Sequence, residues 1–394
     1  MREAGGEPIL RAGIPGCPEG GRALFREWIA DYTHISCTSR ILSSYGTTFD
    51  ALLLSAWGAE EIAGLLIAAL RVNLPTIIAP VGRRPFDTVP FALGLAPLTR
   101  DPAEVAVAVA RDGGPLVREL INSFSLANAL RTGLAAGAGP ELLVHLAAIA
   151  REAGEPDFSH VIRVLAPESP ALVSSASPRI AEVFSYLGDT LHDVRSVEGR
   201  LGENLPAPID EEPEEGVRLS FVRGRTSGVE AVASIPPGVN EVAGACRVFG
   251  SETDAARAVE ADEVVAGELL VVSGCGPRGE PGLLRLDLLA QALRKSGLEE
   301  RTSVITDGLP PLDGRGTWIS LFSPEAAAGG VIGRLRDGDT LRINLAEGRI
   351  RTGVKAGELE GREDPYESPD PLAAGYAARY ARSALPALEG AGFG

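Results

Sequence analysis

Hydrophobic positions along this chain follow two different periods. Phe49–Ser55 (FDALLLS) is a continuous apolar run of strand length, and Leu74–Val81 is another. Between them, Ala59–Asn73 repeats its apolar residues at helical spacing. Strand, helix and strand in that order make a βαβ unit, which predicts a parallel sheet. Helical spacing also predicts helices over Arg22–Tyr32, Pro102–Ala110, Val117–Leu130, Leu142–Glu152 and Arg179–Leu191. Pro206–Glu215 (PAPIDEEPEE) is acidic and proline-bearing, as a linker is.

Beyond that linker the texture changes to short strands between glycine-rich turns. Strands are predicted over Val217–Val222, Val229–Ile235, Cys246–Phe249, Glu268–Val272 and Ser303–Thr306. Others follow at Val331–Arg336, Thr340–Leu345 and Arg349–Val354. Leu283–Ser296 is predicted as a helix with leucines near one face, and Ala373–Leu388 as a terminal helix. Ser323-Pro324-Glu325 has the form of an N-cap with proline at the first helical position. The expected fold class is therefore α/β. A parallel-sheet α/β domain spans residues 1–205, a linker 206–216, and a β-rich, barrel-like domain 217–394.

Composition narrows the partners. The 394 residues can bury a sizeable core. Their net charge of −16 argues against nucleic acid or an anionic membrane, both of which need clustered cations. No apolar run reaches the roughly 18–20 residues of a membrane span, and MREAGGEPILRAG lacks the apolar segment of a signal peptide. Cys17, Cys37, Cys246 and Cys275 are scattered, without C-x-x-C spacing. A cytoplasmic protein is expected.

The densest glycine and proline punctuation lies between Leu269 and Gly330, where each cluster follows a short apolar run. Two glycine-bearing loops leaving adjacent strand ends predict a pocket. Gly274-x-Gly276-x-x-Gly279 also matches a dinucleotide-binding loop, but Pro277 and Pro281 stiffen it and it sits in the β-rich half. Its backbone amides, with Arg278, offer an alternative as an anion site.

The order CGPRGEPGLLRL, ITDGLPPLDGRG, SPEAAAGG and Asp337–Asp339 (DGD) resembles the dihydroxy-acid and phosphogluconate dehydratase family. So do FDALLLSAWGAEEIAGLLIAALRVNLPTIIAPVG and LHDVRSVEGRLGENL, and the resemblance runs from about Arg22 onward with a deletion after Pro85. It implies a C-terminal domain of swivelling β/α type and a homodimer. It also implies dehydration of a polyhydroxy acid by an iron–sulfur cluster, a divalent metal and an alkoxide serine.

The residues that do that chemistry in the family are replaced here. Trp57, Gly58, Ala59 and Glu60 align with its N-C-D-K, Arg285 with its metal-binding glutamate, and Pro311 with its basic serine. Arginine repels a divalent cation and offers it no lone pair. Of the histidines, His34, His145, His160 and His192 form no metal-binding spacing. No metal and no cofactor is expected, nor is dihydroxy-acid dehydratase activity.

The remaining candidates are Glu60, Asp307 and Cys275 as catalytic groups, with Trp57, Arg83, Arg278, Arg285 and Arg315 as substrate contacts. Each has a plainer reading. Asp307 serves a turn, Cys275 fills a buried space, Glu60 answers the helix dipole, and Arg285 faces water from a helix. A cofactor-free lyase or isomerase acting on a small anionic metabolite is expected. The alternative is a catalytically inactive family member that binds or regulates another enzyme.

Overall fold

The computed structural model describes residues 1–8, 49–56, 58–82, 84–172, 180–192, 216–225, 228–279, 282–363, 366 and 376–393. The chain divides into two compact units, Met1–Ala138 with His145–Gly216, and Gly139–Val144 with Val217–Gly394. The predicted helix at Arg22–Tyr32 and the linker Pro206–Glu215 lie outside the described residues, as do Cys17, His34 and Cys37.

In the first unit β1 (Leu52–Ala56) and β2 (Thr76–Pro80) pair in parallel, joined by helix α1 (Ala59–Val72). Asn73, in the left-handed conformation, closes α1 and donates its N–H to Ala69. The following helices are α2 (Thr88–Ala92), α3 (Pro102–Asp112), α4 (Val117–Leu120), α5 (Ser123–Ala135), α6 (Glu141–Ala153, its residues up to Val144 grouped with the second unit), α7 (Phe158–Leu165) and α8 (Ile180–Leu187). The single helix expected over Val117–Leu130 is broken between α4 and α5. Asn122 is the cause: its side chain accepts the N–H groups of Phe124 and Ser125 at 3.0 and 3.1 Å, starting a new helix.

The second unit is a closed barrel of eight strands in the order β10-β3-β4-β8-β7-β6-β5-β9. They are β3 (Arg218–Arg223), β4 (Glu230–Ile235), β5 (Glu241–Phe249), β6 (Leu269–Val272), β7 (Ser303–Thr306), β8 (Trp318–Ser323), β9 (Thr340–Asn344) and β10 (Arg349–Thr352). From β5 to β8 the neighbours are parallel. Their side chains alternate between two apolar layers. Val271, Ile305 and Ile319 fill the barrel interior, while Leu270, Val272, Val304 and Trp318 pack outward with α9 (Glu252–Glu260) and α10 (Asp287–Lys295). Strands covered on both faces read as unbroken apolar runs, which is why LLVV was legible. Two short helices, α11 (Ala356–Gly361) and α12 (Tyr376–Ser383), come later in the chain.

Several expected elements differ. Val331–Arg336 is not a strand but a 3₁₀ turn over Val331–Arg334, entered through Gly330, where any Cβ would overlap the Pro324 carbonyl. Ser323 ends β8 rather than capping a helix, and Glu325 precedes a 3₁₀ turn at Ala326–Ala328. The terminal helix is shorter, because Pro386 cannot continue it. Helix α10 starts at Asp287, not Leu283, since Arg285 is drawn into a parallel bridge with Leu309. Among the described residues no helix is long and apolar enough to cross a membrane.

Candidate functional site

The parallel run β5–β8 sends the loops after β6, β7 and β8 out of one end of the barrel. These loops are stitched to one another. Leu284 donates its N–H to Cys275, Leu309 to Leu284, Leu286 to Leu309, and Leu321 to Gly308, at 2.8–3.0 Å.

Asp307, the first residue after β7, is 1% exposed and lies at the centre of this stitching. Its Oδ1 accepts the N–H of Cys275 at 2.8 Å, and its Oδ2 accepts those of Gly274 at 3.1 Å and Ala326 at 2.9 Å. One carboxylate thereby ties the loops after β6 and β8 to the exit of β7. Burial pushes its pKa above the ordinary value, while the three amides pull the other way.

Glu325, which sequence reasoning did not single out, fills the rest of the glycine loop. It is 7% exposed, and its Oε2 accepts the N–H of Arg278 at 2.9 Å and of Gly279 at 3.2 Å. Gly276 lies so close to this carboxyl that a Cβ there would overlap Oε2. Burial is the main reason its pKa is pushed up to about 7; the Arg278 amide opposes this and the nearby Asp307 carboxyl adds to it. The signal was present in SPEAAAGG, a carboxylate two residues past a strand end.

The loop amides at 274, 275, 278 and 279 are thus occupied by the protein's own carboxylates. The anion-site and dinucleotide readings of these amides do not hold.

Cys275 is a buried thiol, 1% exposed, with its Sγ 3.9 Å from the Ser273 carbonyl, so an external electrophile has no direct access to it. Arg278 is half-buried and donates from Nε to the Ala384 carbonyl at 2.9 Å; the hydroxyl of Tyr366 holds Gly279 at 2.6 Å. Arg285 is half-buried too and sits on the extended segment beside Leu309, not on a helix. Arg315 is elsewhere. The chain from Asp307 to Thr317 runs the length of the barrel, and Arg315 donates its N–H to Glu299 at 3.3 Å, near the start of β7. The structure therefore gathers Asp307, Cys275, Arg278 and Arg285 at one end of the strands and leaves Arg315 at the other.

In the first unit Glu60 is half-buried in the first turn of α1, where its charge complements the helix dipole. Trp57 and Arg83 lie outside the described residues. Nearby in sequence, Asp87 is 1% exposed; its Oδ2 accepts the Arg84 N–H at 2.7 Å and its buried Oδ1 has no hydrogen-bond partner among the described residues. Burial raises its pKa, with the Arg84 amide opposing.

Among the described residues, the aligned positions Gly58, Ala59 and Arg285 offer no donor to an iron–sulfur cluster or a divalent metal. Among the described residues no three His, Cys, Asp or Glu side chains are grouped to hold one. At the position aligned with the family's cysteine, Gly58 has φ 87° and ψ 169°, a conformation essentially restricted to glycine. A cysteine there could not keep this backbone without strain.

Comparison with known proteins gives the relatives. Residues 210–391 match the family described as dihydroxy-acid/6-phosphogluconate dehydratase, C-terminal. The dihydroxy-acid dehydratase of Pelobacter propionicus is 30% identical over 301 residues, covering 70% of this chain and 54% of the relative. That of a Synechococcus species is 32% identical over 322 residues, covering 73% and 57%. That of Clostridium botulinum is 29% identical over 304 residues, covering 70% and 55%. The chain spans about half the length of the curated relatives it matches.

Proposed function

Because the chain belongs to the dihydroxy-acid/6-phosphogluconate dehydratase family, we propose that it keeps the family scaffold for acid–base chemistry on a small anionic carboxylate or phosphate. It acts as a lyase or isomerase without an iron–sulfur cluster or metal. The observation that carries this reading is Arg285, half-buried beside Leu309 just past the end of β7. Where the family resemblance calls for a metal-binding glutamate, the chain has a guanidinium. That group cannot ligate a cation, but it holds a carboxylate or phosphate through two parallel N–H bonds.

Within the barrel, Arg285 and Arg278 orient the anion, and a buried carboxyl there moves the proton next to it. Asp307, Cys275 and, in the first unit, Glu60 remain the acid–base candidates from the sequence. Trp57 and Arg83 remain candidate substrate contacts, whereas Arg315 sits at the opposite end of the strands. The inactive, partner-binding reading draws on one specific observation: both oxygens of Asp307 are committed to backbone amides.

Calorimetric titration tests the proposal, using inorganic phosphate and a series of short 2-hydroxy and 2-keto carboxylates. The wild type should bind at least one of them, and Arg285→Glu should weaken that binding by about tenfold or more. Binding unchanged in Arg285→Glu would remove Arg285 from the site. No binding of any probe would end the small-anion reading.

A further inference from the structure

We propose that Glu325 is the carboxyl that exchanges protons at the loop end of the barrel, and that Asp307 beside it is a positioning residue that does not. The inference rests on the acid–base reading of this site and assigns its proton to a residue outside the original candidates.

The two carboxyls differ in how their oxygens are used. Asp307 accepts three backbone N–H groups shared over both oxygens, all from loops it holds together. A proton on either oxygen would weaken an acceptor that holds two loops together. Glu325 places both of its amide bonds on Oε2 and, among the described residues, none on Oε1. Oε1 can therefore carry a hydrogen while Oε2 keeps the Arg278 and Gly279 amides in place. On release, that proton passes from Oε1 to water or to a bound anion, and Glu325 is left as a carboxylate still held by the same two amides.

The charged and titratable surroundings fit this division. Asp307 faces Glu325 from the exit of β7 and disfavours a second negative charge. The Arg278 backbone and guanidinium act from the loop after β6 and favour it. The same loop carries the Cys275 thiol, and the Tyr366 hydroxyl is bonded to Gly279. Burial outweighs the favourable groups, so Glu325 releases its proton at about 7.

The test is infrared difference spectroscopy of the full-length, ligand-free protein as pH is raised from about 6 to about 8, a range in which ordinary carboxyls are already ionised. The wild type should lose a protonated-carboxyl band over this range. The band should be absent from Glu325→Gln and retained in Asp87→Asn and in Asp307→Asn, which remove the other two described buried carboxyls with a raised pKa. If Glu325→Gln does not fold, Glu325→Asp decides: its shorter carboxyl should titrate with a shifted midpoint. A neutral-range band that survives in Glu325→Gln, that disappears in Asp87→Asn or Asp307→Asn, or that keeps its midpoint in Glu325→Asp would overturn the proposal. So would the lack of any such band in the wild type. No substrate is involved, so the assignment can stand even if no reaction is found and the acid–base reading fails.

Discussion

Asp307 accepts the backbone N–H of Ala326 at 2.9 Å, so a carboxylate just past β7 holds the residue that directly follows Glu325. The two buried carboxyls are fixed relative to each other by the main chain. Replacing Asp307 with Ala leaves three buried amides, those of Gly274, Cys275 and Ala326, without acceptors. Each such loss costs about 1–3 kcal/mol. Equilibrium unfolding should therefore show a loss of at least about 3 kcal/mol, and Asp307→Asn, which keeps one acceptor oxygen, should lose less. A stability change under about 1 kcal/mol in Asp307→Ala would mean that the loops do not depend on this tie.

Glu325 makes stability depend on pH. Its folded pKa of about 7 lies above the usual 4.5, so the folded state binds the proton more tightly than the unfolded state does. Its contribution is fully present below about pH 4.5 and is lost as pH rises through about 7. That difference corresponds to roughly 3 kcal/mol. Glu325→Gln, which cannot ionise, should gain on the wild type by up to that amount as pH rises from about 5 to about 8. Parallel unfolding curves at several pH values check the sign.

Gly58 should resist replacement. Its φ of 87° and ψ of 169° would cost a residue with a Cβ about 1–3 kcal/mol, so Gly58→Ala should lower the melting temperature. Gly58→Cys, restoring the residue type of the family position, should be destabilised likewise. It should take up no stoichiometric iron or sulfide after anaerobic reconstitution, as measured by elemental analysis.

Purified protein should not dehydrate 2,3-dihydroxy acids or gluconate 6-phosphate, even after iron–sulfur reconstitution. Pro311 offers no side-chain base, and general acid–base catalysis alone typically contributes about 10²–10⁴-fold. Turnover should stay below detection in a keto-acid assay. Metal-dependent keto-acid formation by the wild type would overturn the proposal of a metal-free site.

Much of the barrel was legible because burial leaves a local trace. β6 and β7 fall where the apolar runs at Leu269 and Ser303 put them, and α1 matches its helical period to within a residue. Where local signals competed, the reading slipped. Asn122 looked like an ordinary helical position, yet its side chain starts a helix of its own. The leucines before Asp287 have helical spacing, but the bridge between Arg285 and Leu309 holds that segment extended. Strand β8 (WISLFS) went unread beside the proline that follows it.

The candidate site divides along the same line. Sequence alone identified the family frame, the glycine-bearing loops after neighbouring strands, and the replacement of the metal-binding residue types, because these are properties of residue identity and order. Only the tertiary structure decided what the surviving residues do. Asp307 meets amides 33, 32 and 19 positions away, and Glu325 meets amides 47 and 46 positions away. A carboxylate's role depends on which donors the fold delivers to each oxygen and how much water it excludes. Neither quantity is written in the residues next to it.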